Sequence, residues 1–253
     1  MYKGHFQRRE LLTALALAPA IPALSGCATL MPPSYRFRMT AEVTTPQGIV
    51  RGASVYRVQG KTIFVWEARR GLQMFGEALI IPLKNGAILI PVSGPNGGPQ
   101  YGINNFAHRA LIASLTYVGD DPFKPQSGDS FAEIRAVDKV FSTTKAILNR
   151  IAGSSDYELA TAPGRWMSSR LSMVWFDDIH DPTSCRWMEA EALSVDRITL
   201  ETTSARVSND IGSKLPWLDM PWSGSGYERW WKSEARSRDG SCNLPRMAFS
   251  FTG

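Results

Sequence analysis

The sequence predicts an α+β domain dominated by antiparallel β-sheet, with two or three helices in its middle. Three observations predict it. Tyr35 to Val43 alternates apolar and polar residues strictly, the period of a strand with one buried face. Asn85-Gly86 stands between two apolar runs, Ala78 to Leu83 and Ala87 to Val92, and Asn-Gly accepts the positive φ that a tight hairpin turn demands. Two later stretches carry helical spacing before the chain returns to short β-branched and aromatic runs.

The elements follow in order. After the Tyr35–Val43 strand, Thr45-Pro46-Gln47-Gly48 is a turn signal, and Ile49 to Val58 resumes extended character. Lys61 to Glu67 is another β-branched and aromatic run. With the Asn-Gly hairpin these make residues 35–92 an antiparallel meander. Pro82 and Pro91 flank that hairpin, which predicts sheet edges or bulges there, because proline cannot donate to a ladder. Ser93 to Gly102 is a Gly/Pro loop. Asn104 or Asn105 can cap a helix running to about Tyr117, with Phe106, Leu111, Ile112 and Leu115 as its apolar stripe. Asp129 or Ser130 can cap a second, with Phe131, Ile134, Val137, Phe141 and Leu148 at helical spacing. Tyr157 to Ala160, Arg170 to Phe176, Cys185 to Ala190 and Arg197 to Val207 read as strands. Asp210 to Leu218 reads as a short helix ended by Pro216.

The N-terminal residues 1–26 read as a signal peptide. Lys3, Arg8 and Arg9 form a positive start, and Leu11 to Leu24 is an apolar segment too short to span a bilayer comfortably. Leu24-Ser25-Gly26-Cys27 resembles the bacterial lipobox at every position. There the Cys27 thiol is the nucleophile that receives diacylglycerol. The competing reading is an ordinary cleaved signal with an incidental cysteine. Arg8-Arg9-Glu10-Leu11-Leu12 also resembles a twin-arginine signal, against which stand two ordinary leader charges. Residues 27–34 then form a lipidated tether, and residues 35–253 one α+β domain with a Trp-rich tail. Ala28 follows the cysteine, where Asp would be the inner-membrane retention signal, so the expected location is the periplasmic face of the outer membrane.

Loss of the first 26 residues removes Lys3, Arg8, Arg9 and Glu10 and leaves 227 residues with 25 basic and 22 acidic side chains, a net +3. The basic residues do not run together, so no nucleic-acid partner is expected. Besides Cys27 the cysteines are Cys185 and Cys242. An even remainder in an oxidising compartment predicts a disulfide, with two buried thiols as the alternative. Closing that loop would stabilise the fold by about 4 kcal/mol through chain entropy.

Candidate chemistry is sparse. Asp177-Asp178-Ile179-His180-Asp181 concentrates oxygen and nitrogen ligand types, but an acidic strand-to-turn segment looks the same without a metal, and no metal or other cofactor is expected. Gly128-Asp129-Ser130 with Asp177-x-x-His180 resembles the nucleophile and Asp-x-x-His blocks of GDSL-type hydrolases. Ser130 would attack an ester, His180 would act as base and Asp177 would orient it. In those enzymes, however, the serine follows the first strand of a parallel sheet, whereas here it follows a β meander. Trp217, Trp222, Tyr227, Trp230 and Trp231 crowd the C-terminal stretch with Arg229 and Lys232. Such rings bind a partner, stack on a glycan or sit at a lipid interface, or else cover the sheet and shield the disulfide.

Tyr35–Gly48, Phe176–Ser184, Arg197–Glu201 and Lys214–Leu218 together resemble a group of uncharacterised proteobacterial exported proteins and lipoproteins. The resemblance implies export and no particular activity, so no site residue is carried over from it. The expectation is a lipid-anchored, non-catalytic envelope protein that binds another envelope protein or component. A serine hydrolase and a purely structural protein are the rival classes.

Overall fold

The computed structural model describes residues 32–65, 67–92, 103–115, 130–140, 144–152, 156–160, 166–167, 171–188, 195–219 and 250–251. The fold is α+β with two antiparallel sheets, as the sequence pattern predicts. Twelve strands are described. They are β1 (Ser34–Thr45), β2 (Gly48–Val65), β3 (Glu67–Glu77), β4 (Leu79–Leu83), β5 (Gly86–Ile90), β6 (Lys145–Arg150), β7 (Tyr157–Leu159), β8 (Trp166–Met167), β9 (Val174–Phe176), β10 (Cys185–Trp187), β11 (Arg197–Thr202) and β12 (Ser250–Phe251). The described α-helices are α1 (Ile103–Leu115), α2 (Ser130–Lys139) and the one-turn α3 (Ile211–Lys214).

The larger sheet has the order β12-β3-β2-β1-β11-β6-β7-β8, and the smaller β10-β9-β5-β4. β1 sits mid-sheet because both of its edges are paired, with β2 from Ser34↔Gln59 to Thr45↔Gly48 and with β11 from Phe37↔Thr202 to Glu42↔Arg197. Its alternation becomes burial: Tyr35, Phe37, Met39, Ala41 and Val43 all face the core. α2 lies against β1, β2 and β3, and α1 touches β6 and β11. One continuous apolar cluster joins both sheets and the helices, from Phe37 and Tyr56 through Leu79, Ile88 and Ile90 to Phe176.

The meander of residues 35–92 divides between the sheets. β1, β2 and β3 stay in the larger one, and the β4–β5 hairpin enters the smaller. The chain turns at Gly76, whose φ of 143° favours glycine, with the Tyr56 ring packed against its Cα. Gly52 of β2 lets the backbone of Ile80 in β4 approach closely. Pro82 lies on β4, an edge strand of the smaller sheet, and Pro91 directly follows β5.

Several boundaries differ from the sequence reading. The second helix ends at Lys139, and Leu148 belongs to β6, paired with Ile198 of β11 and Leu159 of β7. Helical spacing at Leu148 was incidental; two flanking strands supply hydrogen-bond partners that override it. α1 starts at Ile103, so Asn104 and Asn105 lie inside its first turn. β3 was not anticipated from Ala68 onward, and strand 197–207 stops at Thr202. Residues 210–218 split at Pro216 into α3 and a 3₁₀ turn, Pro216–Asp219.

Candidate functional site

The acidic segment is a self-capping turn. It leaves β9 and enters β10 through a 3₁₀ turn at Pro182–Ser184. The Asp181 carboxylate caps that turn, accepting from Thr183 N at 2.8 Å and Thr183 Oγ1 at 2.7 Å. Asp178 Oδ1 accepts from His180 N at 2.9 Å. Ser184 Oγ lies 2.7 Å from the Asp178 and Asp181 carbonyl oxygens. Asp177 accepts from Trp175 Nε1 at 2.6 Å and is 3.3 Å from Arg186 Nη2. Each aspartate therefore has local work. Among the described residues no group of three or more His, Cys, Asp or Glu is placed to hold a metal ion.

Ser130 opens α2, which packs on the larger sheet, while Asp177 and exposed His180 lie on the β9–β10 turn of the smaller one. Trp217 is buried, only 6% exposed. Its Nε1 donates to Ile179 O at 2.8 Å and its ring tilts against Phe176 at 6.2 Å. It is a packing residue that clamps the 3₁₀ turn onto the acidic segment. Trp222, Tyr227, Trp230 and Trp231 lie outside the described residues, as do Cys27 and Cys242. Cys185 is buried at the first position of β10.

One buried polar chain was missed from the sequence. Tyr35 of β1, His108 of α1 and Glu133 of α2 form a chain, with Tyr35 Oη 2.8 Å from His108 Nδ1 and His108 Nε2 3.2 Å from Glu133 Oε2. An ionised Glu133 accepts from Nε2–H, and with a neutral His108 ring the Tyr35 hydroxyl then donates to Nδ1. Burial, with the Glu133 charge second, pushes the tyrosine hydroxyl far above its ordinary range, which keeps its proton in place. Tyr35 and His108 are only 2% and 4% exposed. The chain thus joins two helices to the central strand, and it resembles a base with its orienting carboxylate only in composition. The available signal was a histidine inside the apolar stripe of α1, which requires a polar partner once buried.

A buried carboxylate holds the α3 segment. Glu77, at the end of β3, accepts from Ile211 N at 2.9 Å. Burial raises its pKa, and hydrogen bonds from the Ile211 and Asp210 backbone only partly offset this. The folded chain therefore keeps a proton over a pH range in which the unfolded chain has lost it. Stability from this group is full below the ordinary glutamate range and falls as pH rises through the raised value. Glu77→Gln keeps an acceptor and removes the charge. It is expected to flatten the decline of the urea midpoint between pH 4 and 8 and to be more stable than wild type at the upper end. Parallel profiles would refute this.

Comparison with protein-family models, with curated proteins and with solved structures gave no match.

Proposed function

We propose that this chain is a lipid-anchored protein of the bacterial envelope whose folded part is a non-catalytic binding module for another envelope protein or component. The observation that carries the reading is Leu24-Ser25-Gly26-Cys27 after an apolar leader, with the first strand beginning only seven residues later, at Ser34. Seven residues reach at most about 25 Å, so an acyl group on Cys27 would hold the fold close to its membrane. The self-capped acidic turn, and the placement of Ser130 on a helix over the larger sheet with His180 on a turn of the smaller one, favour binding over hydrolysis. No helix among the described residues is long and apolar enough to cross a membrane.

The anchoring is tested by mass spectrometry of the N-terminus of the chain purified from membranes. The expected result is a diacylglyceryl-modified Cys27, with Cys27→Ala released from the membrane fraction. An unmodified Cys27, or a variant that fractionates like wild type, would sink the reading. A Cys185–Cys242 disulfide belongs to the same proposal, and thiol titration of the denatured, unreduced protein should find neither cysteine free. The binding role is tested by crosslinking in cells followed by capture of the lipidated chain.

A further inference from the structure

We infer that the outer face of the larger sheet binds a phosphomonoester carried on a sugar, through Arg36 and Arg57 with Arg38 beside them. The inference rests on the binding role proposed above and gives the bound component a chemistry. It starts from strand alternation. Tyr35, Phe37, Tyr56 and Met74 turn into the core, on the side where Tyr35 meets His108 of α1. Arg36 and Arg38 of β1, Arg57 of β2 and Phe75 of β3 therefore stand on the opposite face.

Arg36 and Arg57 are directly opposite each other in the register. The Arg36 carbonyl accepts from Thr203 N at 3.0 Å, beyond the end of β11, so its backbone bonds point away from β2. The two arginines thus form a non-hydrogen-bonded pair, the kind in which cross-strand side chains come closest. Like charges so placed repel, and both residues are half-buried. Yet among the described residues no carboxylate forms an ion pair with Arg36, Arg38 or Arg57. The two guanidiniums take neutral partners instead. Arg57 lies over the Phe75 ring at 4.2 Å, with its Nε buried and without a hydrogen-bond partner. Arg36 Nη1 donates to the Ala205 carbonyl at 2.9 Å. Glu201 stands across from exposed Arg38, with Lys145 on its other side. Arg36, Arg38, Arg57 and Lys145 therefore face a single carboxylate.

Half-buried cations held close without a counterion are costly, and an anion between them removes the cost. A carboxylate brings one charge and two oxygens. A phosphomonoester brings about −1.5 to −2 charge and three acceptor oxygens, enough for two guanidiniums at once. Guanidinium forks also match phosphate oxygens in pairs. Ser34, Gln59 and Gln73 make the next row of the same face across β1, β2 and β3. That row is neutral and hydrogen-bonding, with no apolar side chain, which suits sugar hydroxyls rather than an acyl chain.

Titration calorimetry of the purified protein with glucose 6-phosphate is the test. The expected result is saturable, salt-sensitive binding, none to glucose, and binding at least about tenfold weaker to glucuronate, which offers a carboxylate on the same sugar. Arg36→Gln and Arg57→Gln should each weaken binding about tenfold or more. Arg38→Gln, at an exposed position where folding is not at stake, should weaken it by a smaller factor. Arg197→Gln, exposed at the far end of the same face, should change nothing. Circular dichroism confirms folding of each variant. Absence of saturable binding, equal binding of glucuronate, or arginine variants that bind like wild type would overturn the inference. So would binding to phosphatidic acid vesicles by a chain that ignores glucose 6-phosphate. Crosslinking in cells reads the binding role separately. A captured protein partner with no affinity for glucose 6-phosphate sinks this inference alone, whereas hydrolysis of bound glucose 6-phosphate would sink the non-catalytic reading alone.

Discussion

Gly86→Ala should be the most destabilising of three glycine substitutions, costing about 3 kcal/mol or more. Gly86 has φ of 149°, a region that side chains rarely adopt, and strain there is worth roughly 1–3 kcal/mol. A Cβ at Gly86 would also run into the Phe176 carbonyl oxygen and the Trp175 indole, both on β9. Neither can retreat cheaply, since β9 is hydrogen-bonded to β5 and β10 and overpacking a fixed neighbour costs about 1–3 kcal/mol. Two other glycines separate the causes. Gly48 has φ of 125° but open space around its Cα, so Gly48→Ala measures the backbone alone. Gly52 has no such φ but meets the Ile80 backbone, so Gly52→Ala measures the collision alone. Urea midpoints should show the smallest loss at Gly48 and the largest at Gly86. Gly86→Ala matching Gly48→Ala would mean that β9 yields freely.

His108→Ala is the second large effect, a loss of about 3 kcal/mol. The substitution leaves the Tyr35 hydroxyl, buried at 2% exposure, without its hydrogen-bond partner. An unsatisfied buried polar group costs about 1–3 kcal/mol, and the vacated ring volume adds to it. Tyr35→Phe removes the donor and leaves only a ring nitrogen unpaired, so it should cost about 1 kcal/mol. Glu133 is partly exposed, its side chain at 19%, and Glu133→Gln should cost least. Chemical denaturation of the three variants checks the order. Equal losses for Tyr35→Phe and His108→Ala would show that the ring's packing, not the chain of hydrogen bonds, carries the effect.

What could be read in advance depended on how local the cause was. The alternation of Tyr35 to Val43 needs only one buried face, and it translates directly into the burial of β1. Asn85-Gly86 determines its own turn, and the left-handed φ at Gly86 is there. β3 was opaque beyond Ala68 because Arg69, Arg70, Gln73 and three nearby polar or glycine positions carry no strand preference; pairing with β2 makes the strand. β6 was misread because Ile134, Val137 and Leu148 fit one helical stripe until β11 and β7 claim Leu148. The acidic cluster at 177–181 was visible as turn chemistry, and Asp178 and Asp181 accept from the backbone of that turn. The Tyr35–His108–Glu133 chain was invisible, since its members lie 73 and 25 residues apart and only the packing of α1 and α2 over the larger sheet brings them together.

The place of β1 also has a mechanical consequence. A load applied through the tether enters the fold at Ser34, the first residue of a strand bonded along both edges. Tension along that strand shears its ladders with β2 and β11 together, whereas pulling on an edge strand would unzip one bond at a time. If Cys27 carries the anchor proposed above, the fold is held through a strand paired on both of its edges.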